Sequence, residues 1–163
     1  MIDKAGDPET INYLYLGDYV DRGIYGLEVV LILYAKKLVY PTWVVLLWGN
    51  HESQNMTTHF TFWDEVIEKY DIEVYKEIIT SFNSMPISVI ADNKYICMHG
   101  GISRELKKIE DISKIDRFVE PPLKGLLCDL LWADPCDDKD APKVEFGENK
   151  EWECSIVFGK KPT

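Results

Sequence analysis

The sequence Gly17-Asp18-Tyr19-Val20-Asp21-Arg22-Gly23 follows an apolar run and places two carboxylates and a guanidinium within five residues. The run, residues 11–16, predicts a buried strand in which two tyrosines alternate with two leucines, and the glycines predict a tight turn into a helix. In open α/β sheets, ligands bind outside the carboxyl ends of strands. The planar guanidinium of Arg22 can donate two parallel hydrogen bonds to a phosphate. The turn is therefore a candidate site, and a solvated turn with a local ion pair is the alternative.

The next segment predicts a βαβ unit that includes this turn. Residues 43–47 form a short apolar run, typical of a strand buried on both faces. Strand, helix and strand in this order favour parallel pairing with a right-handed crossover. The second strand ends in WGNHE, residues 48–52, so polar groups follow two neighbouring strand ends. The helix between them ends at Tyr40-Pro41, and its predicted apolar stripe consists of Leu27, Val30, Leu31, Tyr34 and Leu38.

A third strand end carries a further candidate ligand. Helical spacing covers residues 63–70 and 74–82, and residues 86–98 predict a hairpin that turns at Ala91-Asp92-Asn93. This hairpin delivers HGGIS, residues 99–103. Beyond it we expect a short helix capped by Asp111 and a leucine stripe that includes Leu123. Residues 136–150 are expected to form a solvated loop and not a calcium site, because the EF-hand spacing is absent.

Composition limits the class of protein. The chain has 163 residues, 46% of them hydrophobic, which favours one folded domain over residues 1–163. A formal net charge of −10 argues against nucleic acid or an anionic membrane as the main partner. No apolar run approaches the roughly 20 residues that span a bilayer. Four cysteines without C-x-x-C spacing indicate reduced thiols, so we expect a cytoplasmic protein, with the nucleus as the alternative.

The three strand ends hold the residue types that metal-assisted hydrolysis of a phosphate ester needs. Asp18, Asn50 and His99 offer a carboxylate able to bridge, an amide and an imidazole, which suit two cations roughly 3.5–4 Å apart. Such cations lower the pKa of a bound water and make it the nucleophile. His51 poised by Asp21 can then donate a proton to the leaving alkoxide.

The blocks GDYVDRG, GNHE and HGGIS, in this order and spacing, resemble the signature of the phosphoprotein phosphatase family of metal-dependent serine/threonine phosphatases. The segments HFTF, DRFVEPP and CDLLWADP, at residues 59–62, 116–122 and 128–135, resemble the calcineurin branch of that family. The resemblance implies an α/β fold, a calcineurin-like metallophosphoesterase sandwich in which β-sheet layers are flanked by helices. It also implies phosphoprotein substrates and, for a calcineurin-like whole protein, a calcineurin-B-like regulatory subunit and calmodulin as partners.

The resemblance assigns a role to each candidate residue. It implies two divalent or trivalent metal ions of the Mn, Fe or Zn type, a proton-donating pair and a phosphate-binding arginine, with the second-metal site better preserved than the first. The matching residues are Asp18, Asn50 and His99 for the metals, His51 and Asp21 for the pair, and Arg22 for the phosphate.

The chain also departs from the family pattern. The G-D-x-H-G block of the first metal has no match, nor does the last histidine ligand of the second, so we expect a domain that is incomplete at both ends. Trp48 and Trp152 stand at two arginine positions, and Glu153 stands at a glycine position. Because a tryptophan forms no charged bidentate clamp, a catalytically inactive phosphatase-like binding module is the alternative function. A metallophosphoesterase that acts on substrates other than proteins is a third.

Overall fold

The chain divides into two compact units, the first unit ending at Pro86 and the second unit beginning at Ile87. This computed structural model describes residue 4, residues 6–137 and residues 139–162. The single domain expected over residues 1–163 stays a prediction. All four cysteines carry free thiols, as their spacing predicts. In the described part of the chain, no helix has the length and apolar character needed to cross a membrane.

The first unit contains the βαβ arrangement that the sequence predicts. Strands β1 (Tyr13–Tyr15) and β2 (Val44–Leu46) pair in parallel. Helix α1 (Gly26–Val39) connects them and lies against β2. The carboxyl ends of both strands therefore lie at one edge of the sheet, where the polar segments follow. The apolar cluster between helix and sheet consists of Tyr13, Leu33, Val44 and Leu46.

Two details of the predicted burial are wrong. The first strand has three residues, and Leu14 and Leu16 are 36% and 46% exposed. Because side chains alternate along a strand, the tyrosine face packs against the helix while the leucine face points away from it. In α1, Leu33 is buried, whereas Leu31 and Leu38 of the predicted stripe are 49% and 82% exposed. Apolar residues surround much of this helix, so periodicity alone does not determine which face meets the sheet.

In the described part of the first unit, three further helices follow and confirm both predicted helical segments. Helix α2 (Gln54–His59) is short, and helices α3 (Phe62–Lys69) and α4 (Ile72–Asn83) pack against each other. Asp71 caps α4, because its Oδ1 accepts two backbone N–H groups of the first turn at 3.0 Å. Helix α3 also packs against α1, and it begins beside the polar edge of the sheet.

The second unit begins with the predicted hairpin. Strands β3 (Ser88–Ala91) and β4 (Tyr95–Met98) pair in antiparallel fashion. Asp92 and Asn93 turn the chain with φ angles of 52° and 53°. Aspartate and asparagine tolerate this left-handed geometry better than most residues, which is why the pair signals a hairpin. His99 follows β4 directly, as expected.

Beyond the hairpin, the described part of the second unit contains a 3₁₀ helix, an α-helix and a small sheet. Helix α5 (Leu126–Trp132) leads into three strands, in which the central strand pairs in parallel with one neighbour and antiparallel with the other. The strand order is β5 (Asp134–Pro135), β7 (Ile156–Phe158), β6 (Phe146–Glu148). Strand β6 lies within the expected loop over residues 136–150, so that prediction is wrong. Only one of its three residues is a large apolar side chain, so no alternating pattern reveals it.

Two local predictions in this unit also need correction. Asp111 lies within a 3₁₀ helix (Ile109–Lys114), not before it, and its Oδ2 accepts the N–H of Lys108 at 3.0 Å. The carboxylate thus caps the helix from inside its first turn. Leu123 precedes α5 and is 73% exposed, so it does not belong to the buried leucine stripe.

Candidate functional site

The charged turn (residues 17–23) follows β1 and has an unusual backbone. Asp18 and Asp21 have φ angles of 58° and 73°, and Gly17 and Gly23 have φ angles of 105° and 122°. Left-handed geometry is uncommon for residues with a side chain, and it clusters at binding and catalytic sites where surrounding contacts hold it. Glycine adopts the larger values without steric cost. Two aspartates in this geometry therefore mark the turn as a candidate site.

A buried glutamate joins the charged turn to the histidine loop (residues 47–53), which follows β2. The fully buried Glu52 carboxylate accepts the N–H groups of Asp18 at 2.8 Å, Tyr19 at 2.7 Å and Gly49 at 3.0 Å. Loss of hydration raises the pKa of Glu52 to about 7, and the three N–H groups oppose that rise. The sequence prediction missed this residue, because a glutamate beside a histidine gives no sign that it is buried. Glu52 fixes how closely the two loops approach.

His51 and Asp21 form the pair that the sequence predicts. His51 Nδ1 lies 2.8 Å from Asp21 Oδ2, and the two residues are 3% and 4% exposed. The other carboxylate oxygen, Asp21 Oδ1, accepts the N–H of Phe62 at the start of α3, at 3.0 Å. The His51 ring also packs against the Phe60 ring, with centroids 4.9 Å apart. The imidazole is therefore oriented by a fixed carboxylate and by contact with an aromatic ring.

Arg22 reaches from the charged turn across this pair. Its Nη2 lies 3.4 Å from His51 Nε2, and its Nη1 lies 3.5 Å from Asp18 Oδ2. Because a guanidinium only donates, Nε2 is the acceptor and Nδ1 carries the hydrogen that is donated to Asp21. The Arg22 side chain is 71% exposed, so its remaining N–H groups can meet an anion from solvent.

The predicted metal ligands are divided between the two units. Asp18 and Asn50 belong to the first unit, where the N–H of His51 approaches Asp18 Oδ1 at 3.4 Å. His99 belongs to the second unit. Within the described ranges, no group of three or more histidine, cysteine, aspartate and glutamate side chains is arranged to hold a metal ion. The carboxylate, amide and imidazole suit a cation chemically, and the ligand set stays a prediction.

In the second unit, the loop that carries His99 is held by α5 and a buried aspartate. Gly100 donates its N–H to the carbonyl of Leu130 at 2.9 Å. A Cβ on Gly100 would lie 2.6 Å from the α5 backbone, so only glycine fits this approach. Asp129 accepts the hydroxyls of Ser103 at 2.6 Å and Ser155 at 2.8 Å. This network joins the His99 loop to the start of β7.

Trp48, which stands at a family arginine position, is a core residue in this chain. It is fully buried, and its Nε1 donates to the Glu52 carbonyl at 2.7 Å, while its N–H donates to the Pro86 carbonyl at 2.9 Å. Glu153, at a family glycine position, has a φ angle of 55°. That value explains the glycine preference, because glycine adopts it without strain. Both replacements are thus accommodated within the fold.

The chain resembles known proteins in sequence. A family model described as calcineurin-like phosphoesterase matches residues 1–163. Two curated relatives are the serine/threonine-protein phosphatase 2B catalytic subunits A1 and A2 of Saccharomyces cerevisiae. Subunit A1 is 49% identical and covers 97% of this chain, and subunit A2 is 45% identical and covers 86%.

The fold of the chain is similar to that of a solved structure. It is a protein serine/threonine phosphatase from Saccharomyces cerevisiae with similarity to human phosphatase PP5. It matches 91% of this chain with a TM-score of 0.82 and 36% identity. The chain spans 30% and 23% of the lengths of the two curated relatives and 45% of the solved one. The α/β fold expected from the sequence is therefore confirmed.

Proposed function

Because the chain belongs to the calcineurin-like phosphoesterase family, we propose that it carries part of the catalytic centre of a metal-dependent serine/threonine protein phosphatase. The reaction would be hydrolysis of phosphoserine and phosphothreonine in proteins by a metal-activated water. Two curated relatives are named as catalytic subunits of such phosphatases, and this chain covers less than a third of each.

The buried His51–Asp21 pair is the observation that carries the proposal. Departure of a serine or threonine oxygen requires a proton, and the Nε2 side of His51 faces the exposed guanidinium while Asp21 holds the other nitrogen at 2.8 Å. In its protonated form the imidazole can donate from Nε2, and the Asp21 carboxylate stabilises the positive ring. The N–H of Phe62 keeps that carboxylate in place throughout.

Arg22 supplies the phosphate contact in this proposal. Its guanidinium is largely exposed and lies within 3.5 Å of both His51 Nε2 and Asp18 Oδ2. A phosphoryl group offers oxygens that match two parallel N–H donors, and charged donors form the stronger hydrogen bonds. Binding of phosphate would draw Arg22 away from Nε2 and leave that nitrogen facing the leaving group.

Asp18, Asn50 and His99 are the residues that would hold the metal ions. When bound, such ions stabilise charge on the phosphoryl oxygens and lower the pKa of a water that becomes the nucleophile. Glu52 supports Asp18 by accepting its backbone N–H, and so keeps the carboxylate at the edge of the sheet. The carboxylate itself approaches the N–H of His51, which links the metal-binding and proton-donating residues.

Release of phosphate from a phosphoserine peptide with added Mn²⁺ tests the proposal. We expect turnover by the natural chain that contains these residues, and we expect Asp18→Asn to lower it at least about a hundredfold, since it removes the bridging charge. Asp64→Asn, on the exposed side of α3, is the matched control and should leave the rate unchanged. Turnover that is indifferent to Asp18→Asn would show that the mechanism is wrong.

A catalytically inactive binding module is the second candidate, and the tryptophans at two family arginine positions, Trp48 and Trp152, favour it because an indole forms no charged bidentate clamp. It predicts that a phosphopeptide binds through Arg22 but is not hydrolysed in Mn²⁺. Isothermal titration of the parent chain and of Arg22→Ala, followed by phosphate detection in the same samples, separates the two candidates. Robust metal-dependent turnover would exclude this reading.

We also propose phosphoproteins as substrates, a calcineurin-B-like subunit and calmodulin as partners of the whole protein, and a cytoplasmic location. These rest on the calcineurin-type relatives and on the four free thiols. Co-elution of the natural protein with each purified partner tests the partners, and fluorescence microscopy of the tagged protein tests the location. A constant elution volume with either partner would remove that partner from the proposal.

A further inference from the structure

Trp152 lies in the turn between β6 and β7, and its indole is fixed by a carboxylate. Its Nε1 donates to Asp134 Oδ2 at 2.6 Å, and Asn149 Nδ2 donates to the same oxygen at 3.1 Å. Asn149 is 5% exposed, and its side-chain oxygen accepts the N–H groups of Glu151 and Trp152 at 3.2 and 3.4 Å. The turn and the indole are therefore held by one buried asparagine and one aspartate, although Trp152 itself is 46% exposed.

A second tryptophan supports this arrangement. Trp132, the last residue of α5, places its ring 5.8 Å from that of Trp152 at an angle of 60°. The tilted contact leaves part of the Trp152 ring in solvent while its edge is fixed by Trp132 and Asp134. An exposed indole of this kind is pre-organised, so a ligand that binds it need not order it first.

The electrostatics of this surface favour a cation. The face of an aromatic ring carries negative potential, and acceptance of the indole N–H by a carboxylate adds electron density to the ring. Trp152 is flanked by exposed Glu151 and Glu153, with Lys150 as the nearest basic residue in the sequence. At the position where the resembled family has an arginine, this chain therefore presents an aromatic ring bonded to the Asp134 carboxylate, with two acidic neighbours in the sequence.

We propose that Trp132, Trp152 and Asp134 form a binding site for the guanidinium of an arginine in a peptide segment. A guanidinium is planar, stacks on an indole face and donates to carboxylates, so it matches this surface better than a compact ammonium group. The proposal lies beyond phosphate hydrolysis and does not depend on it, because all three residues belong to the second unit and binding of a guanidinium requires no turnover.

The test uses the whole chain and two tripeptides, acetyl-Gly-Arg-Gly-amide and its citrulline counterpart, which has nearly the same shape but no charge. Binding is followed by NMR through the indole N–H resonances, assigned by replacement of each of the five tryptophans. We expect the arginine peptide to shift the Trp152 resonance and the citrulline peptide to bind roughly two- to fivefold more weakly. Trp152→Arg should abolish the shift of Trp132, and Asp134→Asn should weaken binding by a similar two- to fivefold factor.

Trp152→Phe keeps a ring but loses the N–H bond to Asp134, so we expect intermediate affinity. The remaining backbone resonances show whether each variant is folded. If Trp152→Arg does not fold, Trp152→Phe provides the test of the ring. Equal binding of the arginine and citrulline peptides would overturn the proposal, because it would indicate a merely apolar surface. Unchanged affinity in Asp134→Asn, or in both Trp152 variants, would overturn it as well.

Discussion

Replacement of Glu52 by glutamine removes the contact that joins the two loops of the candidate site. Glu52 Oε2 accepts the N–H groups of Asp18 and Gly49, and Oε1 accepts that of Tyr19. The amide oxygen of a glutamine can take the place of Oε2, but its NH₂ then faces the N–H of Tyr19. One buried donor is left without an acceptor, which costs about 1–3 kcal/mol. A neutral amide is easier to bury than a carboxylate, so we expect a net loss of about 1–2 kcal/mol in the free energy of unfolding.

Two measurements check this expectation. Urea unfolding followed by tryptophan fluorescence gives the free energy of unfolding, and hydrogen exchange gives the local opening of individual amides. We expect faster exchange at the amides of Asp18, Tyr19 and Gly49 in Glu52→Gln, with that of Tyr19 affected most. Glu68→Gln, an exposed glutamate on α3, is the control and should change neither quantity.

Two outcomes would contradict the role of Glu52 as the contact that joins the two loops. If Glu52→Gln unfolds with the parent free energy and the three amides exchange at their parent rates, the carboxylate does not hold the loops together. If stability falls but exchange rises uniformly across the first unit, Glu52 acts as a general core residue and not as a clamp between the charged turn and the histidine loop.

The further predictions concern three residues. Trp48→Phe should lower the free energy of unfolding by about 2–3 kcal/mol, because it removes buried ring volume and the hydrogen bond from the indole N–H to a carbonyl. Urea unfolding measures this loss, and an unchanged midpoint of the urea transition would contradict it. Glu153→Gly should raise it by up to about 1 kcal/mol because φ is 55°, whereas Glu151→Gly should bring no gain. Burial raises the pKa of the Cys128 thiol to about 12, so iodoacetamide at pH 8 should modify it about a thousandfold more slowly than in the urea-unfolded chain. The folded state favours the protonated thiol, so the stability that Cys128 contributes is complete below pH 9 and is lost as the pH rises towards 12. The free energy of unfolding should therefore fall between pH 8 and pH 10 in the parent chain, and this fall should be smaller in Cys128→Ala.

Local patterns in the sequence predicted the parts of the fold that local chemistry decides. The βαβ unit follows from two apolar runs around a helical segment, and the hairpin follows from Asp92 and Asn93, which accept left-handed φ angles. The contact between Asp21 and His51 could also be predicted, because parallel strands bring their carboxyl ends to the same edge of the sheet. Each of these inferences needs only residues that are close in sequence or strands that are adjacent in the sheet.

Tertiary context decided what the sequence did not predict. Leu33 and not Leu31 is buried in α1, because the sheet and α3 select one face of a helix that is apolar on most sides. Strand β6 exists because β7 lies beside it, and not because its own residues alternate. Trp48 stands at a position where the family has an arginine, so the sequence alone suggests that a functional group is lost there. In the structure the Trp48 side chain is fully buried and packs in the core.

The backbone of the charged turn shows why its side chains could be recognised as a site but not placed by sequence alone. Two aspartates with positive φ angles are unfavourable locally, and a turn of this kind persists only if distant groups hold it. The N–H groups of Asp18 and Tyr19 are bound by Glu52, and the carboxylate of Asp21 binds His51 and the N–H of Phe62. All of these partners lie 30 or more residues away along the chain. The strain of the turn is therefore borne by the fold of the first unit, and this leaves the charged groups of the turn fixed at the edge of the sheet before any ligand arrives.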